Sequence, residues 1–263
     1  MRRLFALILA ALAPAASAAE VALTDEVEGR PGLTYEALLR QALPGLVRTE
    51  GGWTAGAAPG LRNTDGDPAD VSDLVFEGLQ AEQVKGETGP VLLLLTQSPD
   101  NFTAVLAAFD LAPATPKLLD ALDAGLDRRT DLGETLDLGP QDAFALKGTH
   151  RNSSESYEIA QLFFLRNGKL TPILAQLGYG VRMCGWGLTQ QISLKAEMDS
   201  GRPMRAIRAS VRQEVTQEKE SPDCGDEPPP PKSGDFSDLF RWNAEARAYE
   251  AVSTHLEGIY GPE

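Results

Sequence analysis

Two apolar segments joined by a short polar link constrain the fold of this chain more than any other feature. Residues 157–165 and 170–177 are rich in apolar side chains, and Arg166-Asn167-Gly168-Lys169 connects them. Asn-Gly readily adopts the positive φ angles that a two-residue type I′ turn requires. The pattern therefore predicts a tight β-hairpin with Asn167 and Gly168 as its loop.

This loop assignment also predicts which residues of the hairpin face one another. The expected facing pairs are Arg166 with Lys169, Leu165 with Leu170, and Phe163 with Pro172. Pro172 has no N–H, and at this position the missing donor points away from the hairpin partner. We therefore expect 170–177 to be an edge strand or to be bulged at Pro172, and 157–165 to be a central strand.

Further strands are expected on both sides of the hairpin. Alternating or continuous apolar runs, separated by turn residues, occur at 79–85, 91–96, 102–111, 191–198, 207–215, 240–242 and 249–251. The alternation in 191–198 and 207–215 is typical of antiparallel sheet with one face in water. The chain is predicted to be an α+β protein of mainly antiparallel β sheet, with one or two helices in its N-terminal half.

The helices are predicted at two places. Residues 34–47 carry apolar side chains at helical spacing, with Thr34 at the start and Pro44 ending or kinking the helix. Residues 115–129 fit a helix that starts at Thr115 and Pro116, but their alternation of Leu and Asp also fits a strand. We favour the helix. The acidic series Asp120, Asp123, Asp127, Asp131, Glu134 and Asp137 is then expected to form a wet surface.

The first eighteen residues have the three parts of a secretory signal peptide. Arg2-Arg3 precedes an apolar run at 4–12, and small residues follow up to Ala16-Ser17-Ala18. We expect cleavage near Ala18 and a periplasmic or secreted protein. The apolar run is too short for a membrane span, and no cysteine near the cleavage point suits a lipid anchor. Residues 19–263 are predicted to form a single exported β-rich domain, with a minor subdivision near 112–140 as the alternative.

The net charge of the chain excludes some classes of binding partner. The formal net charge is −14, and removal of Arg2 and Arg3 with the leader makes it −16. Such a chain repels phosphate backbones, so nucleic acid is not expected to bind.

Cys184 and Cys224 are predicted to pair in an oxidising compartment. That disulfide would close a loop of about 40 residues and contribute roughly 4 kcal/mol. The alternative is one reactive thiol.

The polar segment 149–157, between two predicted strands, is the first candidate site. His150 is the candidate general base, Ser154 or a neighbouring serine the nucleophile, and Glu155 the orienting acid. The chain has no G-x-S-x-G elbow, so ordinary turn chemistry is the alternative. The candidate ligand-binding residues are Arg151, Asn152, Tyr157 and Trp186, although Trp186 is also expected to pack against the disulfide. His255 has no partner at zinc-ligand spacing.

The acidic loop 63–73 is the second candidate site. Asp65, Asp67 and Asp70 are the candidate ligands, because closely spaced oxygen atoms are what Ca²⁺ requires. The spacing resembles calcium loops such as those of integrin-type propeller repeats. The EF-hand pattern fails, since glycine stands at the fourth position. The alternative is a solvated acidic loop, and no other cofactor is expected.

The function that these patterns favour is an exported, non-catalytic protein that binds a partner protein or a small ligand. A secreted hydrolase that uses His150 with a neighbouring Ser or Glu is the first alternative. A calcium-stabilised structural module is the second.

Overall fold

The computed structural model describes residues 18–98, 102–127, 129–217, 229–257 and 259. Within this part of the chain, one helix, α1, covers Tyr35–Ala42. The strands in chain order are β1 Ala19–Val21, β2 Val47–Thr49, β3 Gly52–Thr54, β4 Arg62–Asn63, β5 Val75–Phe76, β6 Gly78–Lys85, β7 Pro90–Gln97, β8 Val105–Asp110, β9 Lys117–Asp123, β10 Arg129–Asp137, β11 Asp142–Arg151, β12 Glu155–Arg166, β13 Lys169–Arg182, β14 Trp186–Glu197, β15 Ala206–Gln217, β16 Gly234–Asn243 and β17 Ala248–Ala251.

The strands form three sheets. A six-stranded sheet has the order β1-β6-β7-β8-β9-β4 and is antiparallel except for the β4–β9 pair. An eight-stranded sheet contains β10 to β17 in sequence order, and a small sheet has the order β2-β3-β5. The prediction of mainly antiparallel β structure is confirmed. Only α1 represents the predicted helices in the described residues.

The six-stranded sheet is covered on both faces. On one face, side chains of α1 and of the small sheet, such as Leu38 and Phe76, pack with Leu94 and Phe109 of the sheet. On the other face, the intervening side chains of β7 and β8 pack against β10 to β13, for example around Phe144. A β-strand exposes alternate residues to opposite sides, so the continuous apolar runs of β7 and β8 reflect burial on both.

The eight-stranded sheet consists of two halves, β10–β13 and β14–β17. The halves are joined by three residue pairs, which link 180–182 of β13 to 187–189 of β14. Beyond this junction, Phe164 of β12 packs with Ile207 and with the ring of Trp242, whose centroid lies 5.6 Å away. The first half is therefore a middle layer between the six-stranded sheet and β14–β17.

The structure confirms the predicted register of the hairpin formed by β12 and β13. Arg166 faces Lys169, Leu165 faces Leu170, and Phe163 faces Pro172. Asn167 and Gly168 have φ angles of 50° and 71°, as a type I′ turn requires. The register shifts next to Pro172, and β13 pairs with β14 only from Gly180 onward. Strand β13 is thus both bulged and an edge over most of its length, while β12 is central.

The other confirmed elements follow the same local rules. Thr34 caps α1 by accepting a hydrogen bond from the Ala37 N–H, and the helix ends before Pro44. Hairpins β6–β7, β14–β15 and β16–β17 lie where alternation and turn residues predicted them.

The predicted helix at 115–129 is wrong. Residues 117–123 form β9, which pairs with β8, and 124–127 are a loop. Leu118 and Ala121 pack on one side of the sheet, whereas Leu122 packs on the other. Because apolar side chains are needed on both faces, the leucines acquire a spacing that also fits a helix. The ladder with β8 decides the outcome.

The prediction that the acidic series is a wet surface is wrong for Asp120 and Asp127, which are each 6% exposed. Arg62 Nη2 lies 2.7 Å from Asp120, and Lys169 Nζ lies 3.1 Å from it. Two cations offset the cost of burying this carboxylate. Asp127 has polar partners of its own, which belong to the candidate site below.

Several predictions fall on residues outside the described part of the chain. Residues 1–17 of the predicted signal peptide and Cys224 of the predicted disulfide lie there. The disulfide and the single-domain assignment stay predictions. Among the described residues, no helix combines the length and the apolar character that crossing a bilayer requires.

Candidate functional site

The loop between β9 and β10 delivers Asp127 to the end of the β11–β12 hairpin. A Cβ atom on Gly125 would lie 1.7 Å from the Phe102 carbonyl oxygen, so only glycine permits this approach. A Cβ atom on Gly148 would lie 2.5 Å from the Cβ of Leu126. Gly125 therefore lets the loop pack against residues 102–103, and Gly148 lets Leu126 of the loop approach β11.

Asp127 meets two aromatic side chains there. His150 and Tyr157 face each other across β11 and β12, and their rings stack with centroids 4.9 Å apart. His150 Nδ1 lies 3.3 Å from Asp127 Oδ1, and the Tyr157 hydroxyl donates to Asp127 Oδ2. The hydrogen bond to Asp127, followed by burial, raises the pKa of Tyr157. Asp127 thus fixes the orientation of the histidine and the tyrosine.

The other candidate catalytic residues direct their side chains elsewhere. Asn152 Oδ1 accepts hydrogen bonds from the N–H and hydroxyl of Ser154 and from the N–H of Glu155. The Glu155 carboxylate accepts a hydrogen bond of 3.1 Å from the Tyr179 hydroxyl. The acid that contacts His150 is therefore Asp127, and Asn152 and Ser154 form a hydrogen-bonded turn.

The opposite face of the same hairpin end carries a polar cleft with a volume of about 180 Å³. Arg151, Ser156 and Gly180 face one another across β11, β12 and β13, and Thr189 of β14 continues the row. Residues directly opposite each other in a sheet share a face, and all four line the cleft.

A second row lies beside the first. Arg182 of β13 is two residues beyond Gly180, so it projects from the same face. Gly187 and then Thr216 face it in the next two strands, and all three line the cleft. The cleft therefore has a floor of small residues, a set of hydroxyl groups and two arginines.

The arginines of the cleft differ from most others in this acidic chain. Many arginines and lysines pair with carboxylates, for instance Arg208 with Glu197 and Arg212 with Asp235. Arg151 and Arg182 are exposed and have neither an ion pair nor a side-chain hydrogen bond within the described residues. Glu155 also lines the cleft, but its carboxylate accepts a hydrogen bond from the Tyr179 hydroxyl and forms no ion pair with either arginine among the described residues.

Side chains of the acidic loop 63–73 form hydrogen bonds with the backbone of the same loop. Asn63 Oδ1 accepts the N–H groups of Asp65 and Asp67, and Asp70 Oδ1 accepts the N–H of Ser72. The hydrogen bonds from Ser72 lower the pKa of Asp70. Within the described residues, no group of three or more His, Cys, Asp or Glu is placed to hold a metal ion. The calcium site stays a prediction.

Trp186 and His255 contact other parts of the folded chain. Trp186 is 3% exposed and packs with Tyr179, Val181 and Leu188, so it is not an exposed binding aromatic. The Nδ1 atom of His255 lies 3.1 Å from the buried carboxylate of Asp238.

The sequence predicted roles for His150, Arg151 and Tyr157, which the structure places at this hairpin end and which stay predictions, and it did not single out Asp127 or Arg182. Asp127 stood within an acidic run and was assigned to solvent, although the glycine two residues before it indicated a close approach of the backbone. Arg182 carries no motif. It becomes visible only through the register of β11, β12 and β13.

Comparison with known proteins gives no family for this chain. No protein-family model, no curated protein and no solved structure matches it.

Proposed function

We propose that this chain is an exported binding protein whose polar cleft holds an anionic ligand between Arg151 and Arg182. The observation that carries this proposal is the pair of exposed arginines that share one cleft and have no carboxylate partner within the described residues. Guanidinium groups bind carboxylates and phosphates through charge-assisted hydrogen bonds.

Export is proposed from the sequence of residues 1–18. Strand β1 begins at Ala19, immediately after the proposed cleavage position, and pairs with β6. In this proposal the leader is removed, the protein functions in the periplasm or outside the cell, and Cys184 pairs with Cys224. The disulfide requires an oxidising compartment.

The chemistry of the cleft favours an anion over an apolar ligand. Its lining includes the hydroxyls of Ser156, Thr189 and Thr216 and the two arginines, and the carboxylate of Glu155, which also lines it, accepts a hydrogen bond from Tyr179. Apolar ligands generally bind in pockets lined by hydrophobic and aromatic side chains. The chain without its leader has a formal charge of −16, because Arg2 and Arg3 are removed from a total of −14, and it repels anions at long range, so the attraction must come from these two local cations.

A hydrolase is the second candidate, and the pairing of His150 with Asp127 favours it. An acid that binds Nδ1 leaves Nε2 available as a base, as in known hydrolase triads. The nucleophile is the missing part: the Ser154 hydroxyl contacts Asn152 instead. We therefore place binding ahead of hydrolysis.

The proposal is tested by thermal unfolding of the exported chain in increasing sodium phosphate. A ligand that binds only the folded state at 100 times its Kd stabilises by about 2.7 kcal/mol. For a chain of this length that raises Tm by roughly 5–10 °C. We expect Arg151→Gln and Arg182→Gln each to reduce the increase.

Phosphate also stabilises proteins in general by exclusion from their surfaces, so a matched variant is essential. Lys117→Gln removes an exposed cation that has no ion pair among the described residues and does not line the cleft. It should keep the full phosphate effect. An equal increase in Tm for all four proteins would refute anion binding at the cleft.

A further inference from the structure

We infer that the ligand of the cleft carries two negative groups and bridges Arg151 and Arg182. This inference rests on the proposed function and specifies its ligand class: an elongated, polar dianion such as a dicarboxylate. It follows from where the two arginines lie and from what surrounds each of them.

The sheet register fixes the separation of the two arginines. Arg151 faces Ser156, and Ser156 faces Gly180, so Arg151 and Gly180 are two strands apart. Arg182 lies two residues further along the same strand. Two strand spacings and a two-residue rise together separate the Cα atoms of Arg151 and Arg182 by roughly 12 Å. The arginines thus stand at opposite corners of the floor.

The floor between them suits the middle of such a ligand. Ser156 and Gly180 lie between the corners, and a Cβ atom on Gly180 would lie 2.4 Å from the Ser156 hydroxyl oxygen. The absence of that Cβ keeps the floor low and leaves the hydroxyl at the surface. Thr189 and Thr216 add two more exposed hydroxyls beside it.

The carboxylates on this face do not neutralise the corners. Glu158, which faces Thr149 and Gly178, lies 3.9 Å from Lys147 Nζ. Glu214 faces Thr189 and lies two strands and two residues from Arg182, and it forms no ion pair with either arginine among the described residues. Both arginines therefore remain available to the ligand, and a ligand with an anionic group at each end engages both of them.

The test compares succinate and adipate with their monomethyl esters by isothermal titration calorimetry of the exported chain. Each ester matches its diacid in length but carries one charge fewer. Because the second charge adds a charge-assisted hydrogen bond, the better diacid should bind about tenfold tighter than its ester, or more. The two monomethyl esters should bind with similar affinities, because each engages only one arginine.

The variants complete the test. In Arg151→Gln and in Arg182→Gln, the diacid should bind within about threefold of the affinity of its ester for the same variant. Lys117→Gln should change neither the diacid affinity nor the ester affinity. Equal affinity of diacids and esters for the native chain would overturn the bridging inference. Anion binding itself would survive that result if the phosphate-dependent rise in Tm still required both arginines, and it would fail if that rise were independent of them.

Discussion

Single buried carboxylates determine much of the local structure of this protein. Asp238 of β16 is 2% exposed. It accepts hydrogen bonds from the Ser253 hydroxyl and from the N–H groups of His255 and Leu256. Burial alone would raise its pKa, but these hydrogen bonds lower the pKa of Asp238 to about 2. The carboxylate of Asp238 therefore ties the segment after β17 to the sheet, together with the packing of Leu256 and the hydrogen bond from the Val252 N–H to Leu239.

The pH dependence of stability follows from this lowered pKa. Because the folded-state pKa lies below the unfolded value of about 3.9, Asp238 contributes stability above pH 4 that is lost as the pH falls towards 2. We expect Asp238→Asn to cost about 2–3 kcal/mol at pH 6, since it replaces a buried charged acceptor. Urea unfolding between pH 6 and pH 2.5 should show the difference from the native chain narrowing with acid.

A neighbouring residue provides the control for this experiment. Asp235 lies on the same strand, but its side chain is 74% exposed and pairs with the exposed Arg212. Asp235→Asn should cost less than about 1 kcal/mol. If both variants lose the same free energy at every pH, Asp238 does not anchor the segment.

Residues of this kind mark the limit of prediction from the sequence. Asp120, Asp127 and Asp238 cannot be distinguished from solvated aspartates by type or spacing. Their partners are distant in the chain: Asp120 contacts Arg62, which is 58 residues away, and Asp127 contacts His150, which is 23 residues away. The sequence predicted the histidine of the cluster and missed the acid because only the folded chain brings them together.

At the scale of elements, local turn chemistry was sufficient where it was strong. The Asn167-Gly168 loop specified the register of the β12–β13 hairpin from Arg166–Lys169 to Phe163–Pro172. The missing N–H of Pro172 predicted that the strand would be an edge or bulged there. Residues 115–129 had no comparable turn, and there the cross-strand partners of β9 outweighed helix propensity. A hairpin whose turn has a clear sequence signature was predictable. A strand whose conformation depends on pairing with a neighbouring strand was not.

The dependence of the hairpin on its turn is directly testable. Gly168 has a φ angle of 71°, and the nearest atom to an added Cβ, Leu119 Cδ2, would be 3.8 Å away. Gly168→Ala therefore adds backbone strain without a steric clash and should destabilise by about 1–2 kcal/mol in urea unfolding.

Gly51→Ala is the matched control, since Gly51 has no positive φ angle and no atom within 4 Å of an added Cβ. It should change the free energy of unfolding by less than about 0.5 kcal/mol. Equal effects of the two substitutions would show that the turn does not require its left-handed conformation.

At the scale of the whole molecule, layers of sheet stack so that β10–β13 lie between the six-stranded sheet and β14–β17. Arg62, Asp120 and Lys169 connect β4, β9 and β13 across this stack. The polar cleft forms where the two halves of the large sheet meet, since β11 to β15 all contribute to it. Sequence periodicity predicted the strands, but the stacking and the cleft depend on strand order, which periodicity does not encode.

The central claim is that this junction binds anions. The most direct measurement is a phosphate titration of ¹⁵N-labelled residues 19–263 followed by amide chemical shifts. We expect saturable shifts at Gly180, Arg182 and Gly187, and none for these amides when Arg151 and Arg182 are both replaced by Gln. Saturable shifts confined to the 63–73 loop or to His150, or no saturable shift anywhere, would contradict the account.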